Sequence, residues 1–242
     1  MADFYAYIMN ADFFSDASVF DNCLNGVSEY RRNKVNRLAR IDDKRMSLAA
    51  GVLLAYALDK KFGIKENNMN YICSEGGKPY LEGRSDVFFS ISHTSGFVAV
   101  IVGDAPCGID IECVRKFPAS IVNRLFSAKD RYIYNSDDLS EEEKDRYAVS
   151  VWTRREAYVK FTGTGILMND DAQKHVMERN YMKSMGCDVS NLYGELKLCD
   201  NNEYGDFDFK TAGKSIAAVC VPSNTSVTVG YMSSKDIFCF TK

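Results

Sequence analysis

Between Val87 and Glu112 the chain reads VFFSISHTSGFVAVIVGDAPCGIDIE. The first apolar run breaks at Ser92-His93-Thr94-Ser95-Gly96, and the second, Phe97 to Val102, is cut by Gly103-Asp104-Ala105-Pro106. The third is Gly108-Ile109-Asp110-Ile111-Glu112. Short β-branched and aromatic runs bounded by Gly and Pro are strands, so a sheet has to be built here. Side chains alternate along a strand, which puts Asp110 and Glu112 on one face and Ile109 and Ile111 on the other. Two carboxylates on one face repel unless a cation or a proton lies between them, and a hard divalent ion completed by water and phosphate relieves that repulsion. An isolated D-x-E is also what a solvated strand edge carries. The histidine-containing polar turn just upstream is what weighs against that plain reading.

Composition narrows the partners. With 46% hydrophobic and 26% charged residues in 242, the chain is of ordinary globular type and long enough for one large domain or two small ones. No apolar run approaches the ~20 residues needed to cross a bilayer. The opening MADFYAYIMNADFF lacks a basic segment, so no secretory leader is expected. A net charge of −3 argues against coating nucleic acid. Eight cysteines form no C-x-x-C pair, and several fall within strands; reduced thiols, a cytoplasmic location and no structural zinc are expected. Two histidines, His93 and His175, are too few for a histidine metal site.

Along the chain, Phe4 to Met9 reads as a first strand, followed by a poorly patterned segment up to Ser28. A helix starting at Ser28-Glu29-Tyr30 carries Arg31, Arg32, Lys34, Arg37 and Arg40. From Val27 to Arg45 there are seven Lys or Arg against three Asp or Glu, a basic island in an acidic chain. A solvated helix face is the default for such a run, although Arg31, Lys34 and Arg37 recur at three-residue spacing. Asp42 or Asp43 caps the next helix, which runs to about Lys61 with an apolar stripe from Met46 to Leu58 and stops at Gly63. Gly76-Gly77-Lys78-Pro79 is a turn, its lysine expected to be exposed. Phe117-Pro118 marks a boundary between halves.

Ser127 to Asp130 and Ser140 to Glu143 both fit a capping box. The second opens the longest helical pattern, Glu141 to Thr162, closed by Gly163. Its apolar row of Ala148, Val151, Trp152 and Val159 is interrupted by Arg155 and Glu156. Charges inside a core stripe are costly unless paired or functional. Glu156 and Lys160 are also spaced as an ordinary helix ion pair. Met168 to Val189 reads as a loop or weak helix, and strands are expected at 195–199, 207–210, 215–221, 226–232 and 237–240. The stretch 215–231 loosely echoes 97–112 without its acids, which hints at a duplicated unit.

Taken together, GKPY (Gly77–Tyr80), ISHT (Ile91–Thr94), GIDIE (Gly108–Glu112), FS (Phe126-Ser127) and WTRREAYVKFTGTGI (Trp152–Ile166) resemble the 4′-phosphopantetheinyl transferases, in the larger class with two similar halves in one chain. GIDIE followed about forty residues later by W-x-x-x-E-x-x-x-K is the specific part, and the resemblance covers the chain from about Arg31 to Ile166. It implies an α+β fold of two similar α/β halves related by a pseudo-twofold, each a small antiparallel sheet packed with a long helix. Residues 1–114 would hold coenzyme A and the metal-binding strand, and 115–242 the catalytic helix.

The implied reaction moves the phosphopantetheine arm of coenzyme A to a serine of an acyl or peptidyl carrier protein and releases adenosine 3′,5′-bisphosphate. Family roles carried onto matching positions make Asp110, Glu112 and Glu156 ligands of Mg²⁺. Glu156 or a water on the metal takes the serine proton, and Lys160 neutralises phosphate charge. Ser92 and His93 bind coenzyme A phosphates, Arg31, Lys34 and Ser47 surround the adenosine 3′-phosphate, and Lys78-Pro79 lie beside the nucleotide. The partners implied are coenzyme A and a carrier protein, with no nucleic acid, no membrane and a monomeric chain.

One departure stands out. Where the family has Lys before the helix glutamate, this chain has Arg155, which keeps the charge but does not readily act as a base. Arg155 is therefore carried as a catalytic-site residue with an electrostatic or structural role. Two competing readings remain. A carboxylate-dependent nuclease would want a more basic surface. A degenerate homologue would bind coenzyme A or a carrier protein without transfer.

Overall fold

Strand β1 (Asp3–Asn10) runs down the middle of a four-stranded sheet. On one side it pairs antiparallel with β5 (Phe97–Gly103), which turns back through Ser95-Gly96 onto β4 (Phe88–Thr94). On the other side it pairs parallel with β9 (Ser226–Tyr231), so this sheet is mixed rather than purely antiparallel. A second sheet places β6 (Gly108–Cys113) antiparallel to β8 (Ser215–Cys220), with β7 (Gly194–Glu195) beyond. A two-stranded ribbon, β2 (Tyr71–Cys73) and β3 (Pro79–Leu81), carries the GKP turn. This computed structural model describes residues 3–65, 70–74, 77–163, 194–195, 215–222 and 225–240.

Alternation sorts the side chains into layers. From β1 and β5, Met9, Val98, Val100 and Val102 face α3 (Ile41–Phe62), while Phe4, Ala6, Ile8, Phe97, Ala99 and Ile101 meet Ile109 and Ile111 of the second sheet. Every residue of β5 is therefore buried, which is why FVAVIVG is an unbroken apolar run rather than an alternating one. Beyond the second sheet lies α6 (Glu141–Thr162), packed on β6 and β8. The order is helix, sheet, sheet, helix: an α+β fold with one long helix on each outer face.

The two sheets exchange strands. After β5 the chain crosses from the first sheet to the second as β6, and after β8 it crosses back as β9. Each side of residue 114 thus lends one strand to the sheet built mainly by the other. The loose echo between 97–112 and 215–231 corresponds to this reciprocal pair of crossings.

Both long helices end as expected, at Gly63 (φ 65°) and Gly163 (φ 73°), where the left-handed backbone suits glycine. The Ser140 capping box is complete, and Ser127 caps α5 (Ala128–Tyr134) by accepting from the Asp130 amide. Ser28 likewise caps α2 (Glu29–Arg37). Other expectations fail. The segment before Ser28 holds a 3₁₀ turn, Ala11–Ser15, and α1 (Ala17–Gly26), capped by Asp16. Asp42 and Asp43 occupy the first turn of α3 rather than its cap, which is Arg40. Helix α4 (Ala119–Leu125), which the sequence pattern did not place, starts directly after Phe117-Pro118.

The strand expected at 237–240 is instead helix α7 (Ser234–Phe240). Ser233 and the Asp236 carboxylate form an N-terminal cap there, with both the Ser233 amide and hydroxyl donating to Asp236 Oδ2, and that local bonding overrides the β-favouring Ile237-Phe238. The expected loop 168–189, the strand 207–210 and positions 196–199 lie outside the described residues. Among the described residues no helix is long and apolar enough to cross a membrane.

Candidate active site

The site forms where α6 lies across β6. Gly108 permits the approach: a Cβ there would overlap the Ala157 carbonyl oxygen and the Phe161 amide. Helix and strand backbones are thus in direct contact, and the strand face bearing Asp110 and Glu112 is turned toward the helix bearing Glu156 and Lys160. Alternation along GIDIE is as expected: Ile109 and Ile111 are buried between the sheets.

Strand β4 meets β6 through a row of hydroxyls. Ser90 accepts from the Ile109 amide at 3.2 Å, Thr94 accepts from the Cys113 amide at 3.1 Å, and Ser92 between them donates to Asp110 Oδ1 at 2.6 Å. This S-x-S-x-T row was legible in the sequence as period-two hydroxyls in an apolar strand, but its bridging role was not anticipated. Ser92 faces Asp110, whereas His93 projects to the other side of β4 and stands exposed at the rim.

Lys160 Nζ lies between Ser92 Oγ (2.9 Å) and Asp110 Oδ1 (2.6 Å). Glu156 and Lys160 were equally consistent with an ordinary i,i+4 helix bridge, yet among the described residues the ion pair of Lys160 is with Asp110. Asp110 is only 4% exposed, and its Oδ2 is buried with no hydrogen-bond partner. Burial, opposed by Lys160, raises its pKa above the usual carboxylate range. Glu156 is pushed up to about 7, first by loss of solvent and then by the charge of Asp110, with Lys160 opposing. Glu112 accepts from Trp152 Nε1 at 3.2 Å and from Arg115 Nη1 at 2.6 Å. Among the described residues no three such side chains are gathered tightly enough to chelate an ion as they stand.

Arg155 follows a different course from its neighbour. Its side chain is buried and donates to the Leu125 carbonyl at the end of α4, holding that short helix against α6. Lys78 also departs from expectation. Instead of an exposed turn lysine, it is half-buried and donates to the Cys107 and Lys160 carbonyls. The second of these lies in the last turn of α6, where the helix dipole favours a cation. Desolvation lowers the Lys78 pKa. Lys78 and Pro79 line a cavity of about 250 Å³ together with Phe89, Ile91, Val159 and Lys160.

The basic island closes on the same region from α2. Arg31 is buried (4% exposed), its stem lying over Gly51 of α3, where a Cβ would come within 2.6 Å of Arg31 Cγ. Arg31 Nη1 donates to the Ser47 carbonyl at 3.4 Å, while Arg31 Nε and Ser47 Oγ are buried without hydrogen-bond partners. Lys34 has its pKa lowered by desolvation and then by the Arg31 charge. The His93 pKa is likewise lowered, first by the packed part of its ring losing water and then by Lys160 and Lys34. His93 therefore lies within reach of charge from the basic island and from the Lys160–Asp110 pair.

Comparison with known proteins gives two tandem matches to family models. Residues 15–105 match one described as "4′-phosphopantetheinyl transferase, N-terminal", and residues 106–198 match one described as "4′-phosphopantetheinyl transferase superfamily". A 4′-phosphopantetheinyl transferase from Bacillus subtilis is 28% identical over 155 residues, covering 63% of this chain and 67% of the relative. The transferase psf-1 of Bacillus pumilus is 32% identical over 142 residues, 58% of this chain and 59% of its own. Sfp of Bacillus subtilis strain 168 is 28% identical over 149 residues, 60% of this chain and 64% of its own. The chain thus spans roughly three-fifths to two-thirds of the curated relatives it matches.

Proposed function

The chain belongs to the 4′-phosphopantetheinyl transferase superfamily, and from that premise we propose that it transfers the 4′-phosphopantetheine arm of coenzyme A to a serine hydroxyl of an acyl or peptidyl carrier protein, releasing adenosine 3′,5′-bisphosphate. One observation carries the reading. Asp110 presents a buried, unpartnered carboxylate oxygen beside a glutamate whose pKa is raised to about 7, first by burial and then by the charge of Asp110. The oxygen donors of such a site suit Mg²⁺. Asp110, Glu112 and Glu156 would hold the ion, which when bound supplies positive charge to the pyrophosphate of coenzyme A.

The chain's own groups fit the remaining tasks. Phosphoryl transfer depends on positioning and charge neutralisation more than on covalent help. Lys160, held at Ser92 and Asp110, offers a fixed cation at the acidic pair. Glu156, with a pKa of about 7, is suited to accept the proton of the attacking serine hydroxyl. Arg31 Nε and Ser47 Oγ are two buried polar groups whose unmet hydrogen bonds a 3′-phosphate would satisfy, with Lys34 and His93 adding charge and a hydrogen-bonding edge. Lys78 is committed to backbone carbonyls, so its stem and Pro79 would serve as a wall of the nucleotide cavity. Arg155 acts through its bond to Leu125, which makes arginine in place of lysine a matter of packing rather than proton transfer.

The proposal extends to a cytoplasmic monomer of two halves, 1–114 and 115–242, with coenzyme A and a carrier protein as partners. The five described cysteines are free thiols, which suits a reducing compartment. The test is direct: incubate the protein with coenzyme A, Mg²⁺ and an unmodified carrier protein, and weigh the carrier intact. Addition of one phosphopantetheine is expected, and Asp110→Ala should lose most of it while melting close to wild type. An unchanged carrier mass across acyl and peptidyl carriers overturns the proposal in favour of binding without transfer.

A further inference from the structure

Asp110 and Glu112 share a strand face but not a condition. Each has a side-chain cation on one oxygen, Lys160 on Asp110 and Arg115 on Glu112, both at 2.6 Å. The second oxygens differ. Asp110 Oδ2 is unpartnered, whereas Glu112 Oε1 accepts from the Trp152 indole at 3.2 Å. Asp110 Oδ2 carries no hydrogen bond for an incoming divalent ion to compete with, whereas each Glu112 oxygen already accepts one.

Arg115 has a built resting place. It follows the end of β6, lies over the Phe117 ring with the centroid at 5.9 Å, and donates weakly to the Cys113 carbonyl at 3.5 Å. Its side chain is 51% exposed against 21% for Glu112, so the guanidinium can swing into water while the carboxylate stays. A pair so open to solvent is held by a modest free energy. A guanidinium and a doubly charged ion on one carboxylate repel strongly at such separations.

We infer that Arg115 is the resident counter-ion of Glu112, which a divalent cation displaces before Glu112 can serve it, so that this ion pair sets the metal affinity of the site. The inference rests on the metal-site reading above. It assigns Arg115 a positioning role through Glu112 and no contact with the reacting atoms.

The chain has a single tryptophan, and that residue is hydrogen-bonded to Glu112, so its emission reports on the carboxylate directly. Metal-free protein is titrated with Mg²⁺ alone, following Trp152 emission and, in parallel, heat of binding. Arg115→Ala should lower the midpoint by about 2–5-fold, the range open to an exposed ion pair. Lys116→Ala removes the same charge one residue away without touching Glu112, and should shift the midpoint clearly less. Equal shifts in the two variants, or an Arg115→Ala midpoint at or above wild type, overturn the inference and leave the metal reading standing. If wild type binds no Mg²⁺, or Glu112→Gln binds it as well as wild type, the metal reading fails and takes the inference with it.

Discussion

Helices α3 and α6 are both 22 residues long and both stop at a left-handed glycine, yet they are used in opposite ways. Helix α3 buries an almost continuous block from Leu48 to Leu58. Its charges gather at its ends, Asp42 and Asp43 in the first turn and Lys60 and Lys61 in the last, where the backbone dipole favours them. Helix α6 begins the same way, with Glu141, Glu142 and Glu143 behind a capping box, but carries Arg155, Glu156 and Lys160 into its packed half. Length and capping do not separate a helix that builds a core from one that builds a site. The position of charge relative to the buried stripe does, because a charge placed there is costly unless a partner or a ligand offsets it.

The comparison is broken most forcefully by a core truncation. Leu54→Ala on α3 removes a fully buried side chain and should cost about 2–5 kcal/mol, read by urea unfolding, while the folded fraction keeps its activity. A loss well under 1 kcal/mol would mean that α3 is not the core helix described. A smaller effect sharpens the contrast, because α3 has one duty at the site. Gly51→Ala should push the Arg31 stem away from Ser47 and raise the apparent KM for coenzyme A about tenfold, some 1.4 kcal/mol, with kcat unchanged. An unchanged KM would free Arg31 from nucleotide binding.

The smallest effect is electrostatic and belongs to α6. Folded Glu156 holds its proton up to about pH 7, against 4.5 for an ordinary glutamate. Between those values the folded state binds the extra proton, so its stabilising contribution is complete below about pH 4.5 and lost as pH rises through 7. Glu156→Gln, which cannot ionise, should therefore gain about 1 kcal/mol relative to wild type on going from pH 5 to pH 8 in chelator, after allowance for partial exposure. Equal differences at the two pH values would show that Glu156 is not held near neutrality.

Local chemistry was the legible part of the fold. The hairpin of β4 and β5, the alternation in GIDIE, the Ser140 capping box and the two terminal glycines all follow from neighbouring residues. Helices α1 and α4 were not anticipated, since α1 buries only Cys23 and α4 has no side-chain cap. The 237–240 segment misled because Ile237, Phe238 and Phe240 favour strands, while the deciding Ser233–Asp236 cap lies just upstream. Strand exchange between the sheets depends on pairings far apart in sequence. For the same reason motifs brought Asp110, Glu156 and Lys160 together as candidates, while the burial of Arg31, the commitment of Lys78 and the Glu112–Arg115 pair needed coordinates.

The parallel pairing of β9 with β1 has a consequence for synthesis. Ser226 donates to Asp3 across 223 positions of chain, so one long edge of β1 finds its neighbour only after that length of chain has been made. Until then a nascent chain emerging at ~5–20 residues per second keeps that edge open for many seconds. Its exposed amides and carbonyls are a template for pairing with another nascent copy. The interval between making β1 and making β9 is therefore when this protein most needs a chaperone or low local concentration.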